Sequence, residues 1–404
     1  MPHLIETYAL NCGLKIDKPF MLEKFFPIDV ENFITIHPNS KYTSKCYDHW
    51  QEVVDLIREP LKENNIDILQ IGTKEDVPLN GCLHSQGICD LNQTAYILSK
   101  TSLHLGVDSF PAHVASGYNK KIVCLYSNTY SNIARPYWTK KEDCVLLEPD
   151  RDKRKPSYAA QEAPKTINEI NPEDIAQGVF DLLDIKINKN FNTIRKGPFY
   201  NAPVVQLVPD CVAEIKKLKI DSLVVRMDLN FNLQALNAQL AQTKCSIVSE
   251  EPIDLELLRH HKANIKEFVY FITENHNPEF IEKLSRIGFP IVLMSEMSDE
   301  EINKVKIHYM DYGLIRKNPV ASPEDIDKIK SKNLKAGANS INLQYKSKRV
   351  LISQGKFFHS EAAWRTNQPS SSINPEFNPV IDHKDFWESL DEFYIIEKEP
   401  LTFA

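Results

Sequence analysis

Between Asn32 and Ile185 short apolar runs alternate with longer amphipathic segments, and this alternation limits the chain more than any other feature. Apolar runs bounded by turn residues suit strands buried on both faces. Amphipathic segments between them suit the helices that cover such strands, so the pattern predicts a parallel sheet with crossover helices. Strands are expected at Phe33 to Ile36, Ile66 to Ile71, Leu103 to Val107 and Ile122 to Tyr126. Helices are expected from Trp50 to Leu61, Asp90 to Ser99, Pro111 to Ser116 and Pro172 to Leu183. Asn171, Pro172, Glu173 and Asp174 form a helix start, with a cap, a proline in the first turn and acid at the positive end of the dipole.

Arg151 to Pro164 turns basic and contains proline, which marks a surface loop, and the polar stretch Lys186 to Pro198 reads as a linker. Beyond it a second α/β rhythm begins, with strands expected at Val204 to Val208, Ser222 to Met227, Cys245 to Ser249, Glu267 to Ile272 and Pro290 to Met294. Helices at Leu233 to Gln242 and Glu279 to Ile287 fall between them, at roughly 22 residues per step, the rhythm of a doubly wound domain. The expected division is a helix and linker over 1–30, one Rossmann-like domain over 31–187, and a second α/β domain over 199–404 with an irregular tail. Within that tail, Arg349 to Ser353 and Lys356 to His359 suit a hairpin around Gly355.

Composition narrows the class. With 42% hydrophobic and 25% charged residues the chain is neither disordered nor fibrous. No run of about 18 apolar residues suggests a membrane span, and the N-terminus has no secretory pattern. Eight scattered cysteines suit a reducing compartment, so a cytoplasmic location is expected. The net charge of -7 gives no support for nucleic acid as a partner. Cys82, His84 and Cys89 lack a fourth ligand at a common zinc spacing, so no metal is expected.

The most specific segment is GVDSFPAHVAS, Gly106 to Ser116, where a strand is expected to end and a helix to begin. Free backbone N–H groups and the helix dipole make such a junction a phosphate site. Asp108 or Ser109 can cap the helix, and His113 lies one turn in; the same residues also suit a plain cap and a packed helix residue. The segment resembles the D-(S/T)-G-x-x-H-x-x-A element of family 9 glycosyltransferases, the ADP-heptose-dependent heptosyltransferases, with Phe110 at the position usually held by glycine. Three further segments follow in family order. Ile34 to Trp50 resembles the first strand and phosphate loop, with Asn39 and Ser40 in the small polar stretch and Lys45 at the lysine position. Leu69 to Asp76 resembles the second strand and its loop, with Gly72 at the turn and Glu75 as the acidic residue for the ribose. Leu125 to Trp138 resembles the loop in which Thr129 is a phosphate ligand.

This resemblance, over residues 31–185, implies a GT-B-like α/β fold of two doubly wound Rossmann-like domains. It implies an inverting, metal-independent glycosyl transfer from a nucleotide-diphosphate sugar, with no cofactor, to a glycan or other hydroxyl acceptor. In the family an acceptor half precedes the nucleotide half. Here Pro2 to Ile16 resembles the helix and linker that join the halves, so the acceptor half is expected to be absent, replaced by the second domain, or supplied by a separate chain. Asp228, after an expected strand, is the candidate catalytic base. The rival reading is a non-catalytic subunit that binds nucleotide sugar. A nicotinamide oxidoreductase ranks below both, because no G-x-G-x-x-G follows a strand.

Overall fold

In the computed structural model the first sheet is formed by β1 (Phe33–His37), β2 (Asp67–Gln70), β3 (Leu83–His84), β4 (Leu103–Val107), β5 (Lys121–Leu125) and β6 (Cys144–Leu147). The structure describes residues 2–151, 153–187, 191–213, 223–310, 315–317, 320–333 and 343–398. Two compact units divide the chain, Met1–Asn190 and Phe191–Ala404.

The first sheet is parallel throughout and runs β3-β2-β1-β4-β5-β6. The chain moves outward from β1 to β3, then returns to lay β4 on the other side of β1. Direction therefore reverses between β1 and β4, the kind of point at which open parallel sheets bind ligands beyond their C-terminal strand ends. Six helices accompany the sheet: α1 (Leu4–Cys12), α2 (Trp50–Glu63), α3 (Leu91–Lys100), α4 (Phe110–Gly117), α5 (Ser131–Ala134) and α6 (Pro172–Leu183). Trp50, Val53, Val54, Ile57 and Leu61 fall on one stripe of α2 and are all buried, in a cluster with Ile175, Val179 and Leu182 of α6 and with Ile34 and Ile36 of β1. The opposite face of the sheet buries Phe33, Leu69, Ile122 and Cys124 with Ile97 and Leu98 of α3 and Ala112 and Ala115 of α4. As expected, Asn171 stands at the N-cap of α6 with Pro172 in the first turn.

The second unit begins with β7 (Phe191–Lys196), β8 (Val204–Leu207) and β9 (Leu223–Arg226), and continues with β10 (Cys245–Ser249), β11 (Ile265–Phe271), β12 (Ile291–Ser295) and β13 (Arg316–Lys317). It ends with β14 (Leu343–Lys346), β15 (Arg349–Ser353), β16 (Lys356–Phe358), β17 (Asn378–Pro379) and β18 (Tyr394–Lys398). Its main sheet runs β13-β12-β11-β10-β9-β8-β15-β16 and is parallel except for the β15–β16 hairpin, which turns at Gly355 as expected. Here too the chain winds outward, from β8 to β13, before returning to the other side of β8. The α/β class expected from the sequence holds in both units.

A smaller antiparallel sheet, β17-β14-β18-β7, draws on stretches whose sequence reads as linker and irregular tail. The register of β7 against β18 shifts between Ile395 and Ile396, where Ile194 is passed over in the pairing; Phe191 and Ile194 pack into two different clusters. That shift removes the alternation by which a strand is read from sequence. Among the described residues no helix is long and apolar enough to cross a membrane.

Candidate functional site at the first sheet's reversal point

The four loops singled out in the sequence leave the C-terminal ends of β1, β2, β4 and β5, and the way each is held follows from its sequence. The loop after β1 is tied down at both ends. Trp50 Nε1 donates to the Pro38 carbonyl at 2.9 Å, and Cys46 Sγ lies 3.3 Å from both the N and the O of Ser40. Between these anchors Thr43–Lys45 forms a 3-10 turn, fixed by Ser44 Oγ donating to the Ala159 carbonyl and Ser127 Oγ donating to the Ser44 carbonyl, both at 2.7 Å. Trp50 thus acts as a structural anchor of the loop, and Tyr47 likewise donates its hydroxyl to the Ile170 carbonyl at 2.7 Å.

Lys45 leaves this turn to reach the loop after β4, where its Nζ donates to Asp108 Oδ2 at 2.6 Å. His113, on the first turns of α4, places Nε2 3.4 Å from the other carboxylate oxygen. Burial works against the Asp108 charge, yet contact with His113 and Lys45 outweighs it and holds the carboxyl below its ordinary range. Ser109 is the N-cap of α4, but its side chain makes no capping bond. Its hydroxyl lies 3.0 Å from Nδ1 of His37, the last residue of β1. Phe110, in the first turn, is 47% exposed. Its side chain is no part of the sheet's core.

The loop after β2 depends on Gly72, whose φ of 151° and lack of Cβ let the Asp76 carboxylate fold back to the Thr73 N–H at 2.7 Å. A Cβ at Gly72 would lie 2.1 Å from Asp76 Oδ2. The other oxygen of Asp76 accepts from Asn39 Nδ2 at 2.8 Å, which joins this loop to the first. Glu75 points instead to solvent, 3.8 Å from Lys74. In the loop after β5, Thr129 Oγ1 and Asn128 Oδ1 are shut off from solvent and have no hydrogen-bond partner among the described residues. Arg151, after β6, braces that loop through the Ser127 carbonyl at 2.6 Å and pairs with Glu148.

Lys45 and His113 therefore both meet Asp108, Ser109 meets His37 and Asn39 meets Asp76, whereas Glu75 faces solvent beside Lys74. Asp228 lies in the second unit. It follows β9 and accepts hydrogen bonds from Arg226 Nη2 at 2.6 Å and from Nε at 2.9 and 3.0 Å, while Arg226 Nη1 donates to Glu361 at 2.7 Å. His37, Asp76 and Arg151 join the four loops without being among the residues expected from the sequence. His37 had a readable signal, since it ends a strand on the side where open parallel sheets bind ligands. Asp76 and Arg151 depend on chain reversals that no periodicity marks.

A parallel sheet in this order, with a lysine and a helix start at its reversal point, is a Rossmann-like architecture. The family model described as glycosyltransferase family 9 (heptosyltransferase) matches residues 5–162, so the resemblance carried by the four motifs is borne out over that segment. Among solved structures, a family 9 glycosyltransferase from Veillonella parvula is similar at 16% identity and a TM-score of 0.31, covering 44% of this chain and 50% of that one. ADP-heptose LPS heptosyltransferase II from E. coli is similar at 14% identity and a TM-score of 0.31, covering 44% and 50%. The E. coli heptosyltransferase WaaC with ADP is similar at 13% and 0.30, covering 44% and 54%. The chain thus spans about half the length of these structures. No curated protein matches it.

Proposed function

We propose that the first unit binds the diphosphate of a nucleotide sugar and that the chain serves glycosyl transfer, with a heptose or related sugar as donor group and a glycan or other hydroxyl as acceptor. The carrying observation is the junction of Lys45, Asp108, Ser109 and His113 at the start of α4. A diphosphate arriving there meets a lysine already held in place, a serine hydroxyl not used in capping its helix, and the positive end of the helix dipole. Charge that builds on a departing diphosphate is stabilised by these groups without rearrangement. Inversion and independence of metal follow from the family resemblance, and the nucleotide half of a GT-B arrangement is the role it gives the first unit. Thr129 is the further phosphate ligand that the family resemblance implies; its hydroxyl is buried with no partner among the described residues.

A second reading, a subunit that binds nucleotide sugar without turning it over, is favoured by Asp228. Its carboxylate is occupied by Arg226 and thereby serves as a structural anion rather than a free base. An acceptor domain on a separate chain belongs to this reading. Calorimetric titration with ADP, GDP and UDP tests the shared nucleotide site; no binding at millimolar concentration of any of them ends both readings. Release of nucleoside diphosphate from a panel of nucleotide sugars, with and without hydroxyl acceptors, then separates the enzyme from the binding subunit.

A further inference from the structure

The hydroxyl of Ser109 has one hydrogen to give, and where it goes decides whether Ser109 meets an anion with a donor or with lone pairs. Ser109 caps α4 through its backbone position alone, since its side chain bonds to none of the helix N–H groups. Its hydroxyl instead faces Nδ1 of His37 at 3.0 Å. A neutral imidazole carries a single N–H. With that hydrogen on Nδ1, His37 donates to Ser109 Oγ, and the serine hydrogen is free to point at a phosphate oxygen. With it on Nε2, the serine must donate to His37 and presents only lone pairs to the ligand.

The ring is held in its neutral form. Burial lowers its pKa to about 4, against the opposing pull of Asp76, so a charged ring that donates from both nitrogens is not the resting state at pH 7. Its place is fixed by the sheet. His37 pairs with Gly106 across the reversal point, and a Cβ at Gly106 would lie 2.9 Å from the His37 carbonyl oxygen and 3.1 Å from Nε2 of the buried His104. Glycine there lets β1 and β4 close at the level where His37 meets Ser109.

We propose that His37 is a positioning residue: in its Nδ1–H tautomer it donates to Ser109 Oγ across the observed 3.0 Å and thereby directs the serine hydroxyl as a donor toward the bound diphosphate. This rests on the reading of the site as a diphosphate site. The loss expected on removing the imidazole is that of one hydrogen bond to a charged group, transmitted through the serine.

The test uses the full chain, with inorganic pyrophosphate and ADP as probes. His37→Phe is expected to weaken both by about tenfold, the scale of one such bond. His37→Asn, whose amide nitrogen can sit where Nδ1 sits, is expected to stay within about threefold of the parent. In a Ser109→Ala background His37→Phe is expected to add less than about twofold, because the pair acts as a unit. Parent-like binding by His37→Phe, or an undiminished loss in the Ser109→Ala background, overturns the assignment. Nitrogen-15 spectra of histidine-labelled parent protein at pH 7 give a readout that needs no ligand: Nδ1–H is expected for His37, and an Nε2–H tautomer overturns the assignment. If the parent binds neither probe, the diphosphate reading itself fails, and the tautomer alone then decides whether His37 donates to Ser109.

Discussion

Lys45 and Asp108 are 63 residues apart in sequence and 2.6 Å apart in space, Nζ against Oδ2, with side chains only 15% and 8% exposed. An ion pair this sheltered loses much of its hydration, and its attraction compensates only while both partners stay in place. The pair therefore ties the loop after β1 to the loop after β4 before any ligand arrives.

Lys45→Ala is expected to weaken ADP or pyrophosphate binding by roughly 1.5–3 kcal/mol, the scale of a charged hydrogen bond. It should also lower stability, because Asp108 then keeps only His113 as a side-chain partner among the described residues. Urea unfolding beside calorimetric titration measures both effects. Unchanged affinity in a folded variant would make Lys45 a structural lysine only.

Phe110→Gly separates the two places a phenylalanine at this turn can occupy. A core side chain of that size costs about 3–5 kcal/mol to remove, but Phe110 is 47% exposed, so the expected loss is near the ~1 kcal/mol of glycine in a helix turn. Relative affinity for different nucleotide sugars should shift, since an apolar wall beside the helix start is gone. A large fall in melting temperature with the same ligand ranking would place the ring in the core after all.

Asp228→Asn is expected to destabilise the second unit by about 3–5 kcal/mol, because it leaves Arg226 buried with Glu361 as its remaining anionic partner. Circular dichroism during urea unfolding reads the loss. If the variant keeps its stability and instead loses sugar transfer, the carboxylate is a base and the binding-subunit reading falls.

How far the sequence carried depends on what kind of information each part needs. The strands of the first sheet are short runs of apolar residues such as Phe33 to Ile36 and Ile122 to Leu125, and burial on both faces leaves that signature in composition alone. The helix start at Asp108 to His113 was legible because capping and dipole chemistry are local. The partners were not. Nothing near Lys45 in sequence names Asp108, and Asp76 outranks its neighbour Glu75 only because Gly72 lets the chain fold back on it. His37 looked like an ordinary strand end until the return of β4 set Ser109 beside it. In the second unit Asp228 has the right position for a base, but Arg226, which occupies it, sits two places earlier inside the strand expected at Ser222 to Met227, where nothing in the pattern singles it out.

His104 carries the last prediction, which concerns pH. Its ring lies wholly buried in β4, with Nδ1 3.0 Å from Thr35 Oγ1 and no hydrogen-bond partner for Nε2 among the described residues. Burial first, and the neighbouring His37 second, push its pKa from 6.5 down to about 3. In the unfolded chain the same imidazole takes up a proton near its ordinary value, so below about pH 6.5 the unfolded state binds more protons than the folded state. Stability must then fall as pH falls, by up to about 1.4 kcal/mol per pH unit for each such histidine until the folded group itself titrates. His37, lowered to about 4, contributes in the same direction over the upper part of that window. Urea unfolding of the first unit at pH 7.5, 6.5, 5.5 and 5.0 is expected to show this slope. His104→Leu should flatten it while retaining the fold, since the new side chain fills the site without a group that must stay neutral. The parent and His104→Leu losing stability in parallel between pH 6.5 and 5 would show that His104 is not what the acid limb reports.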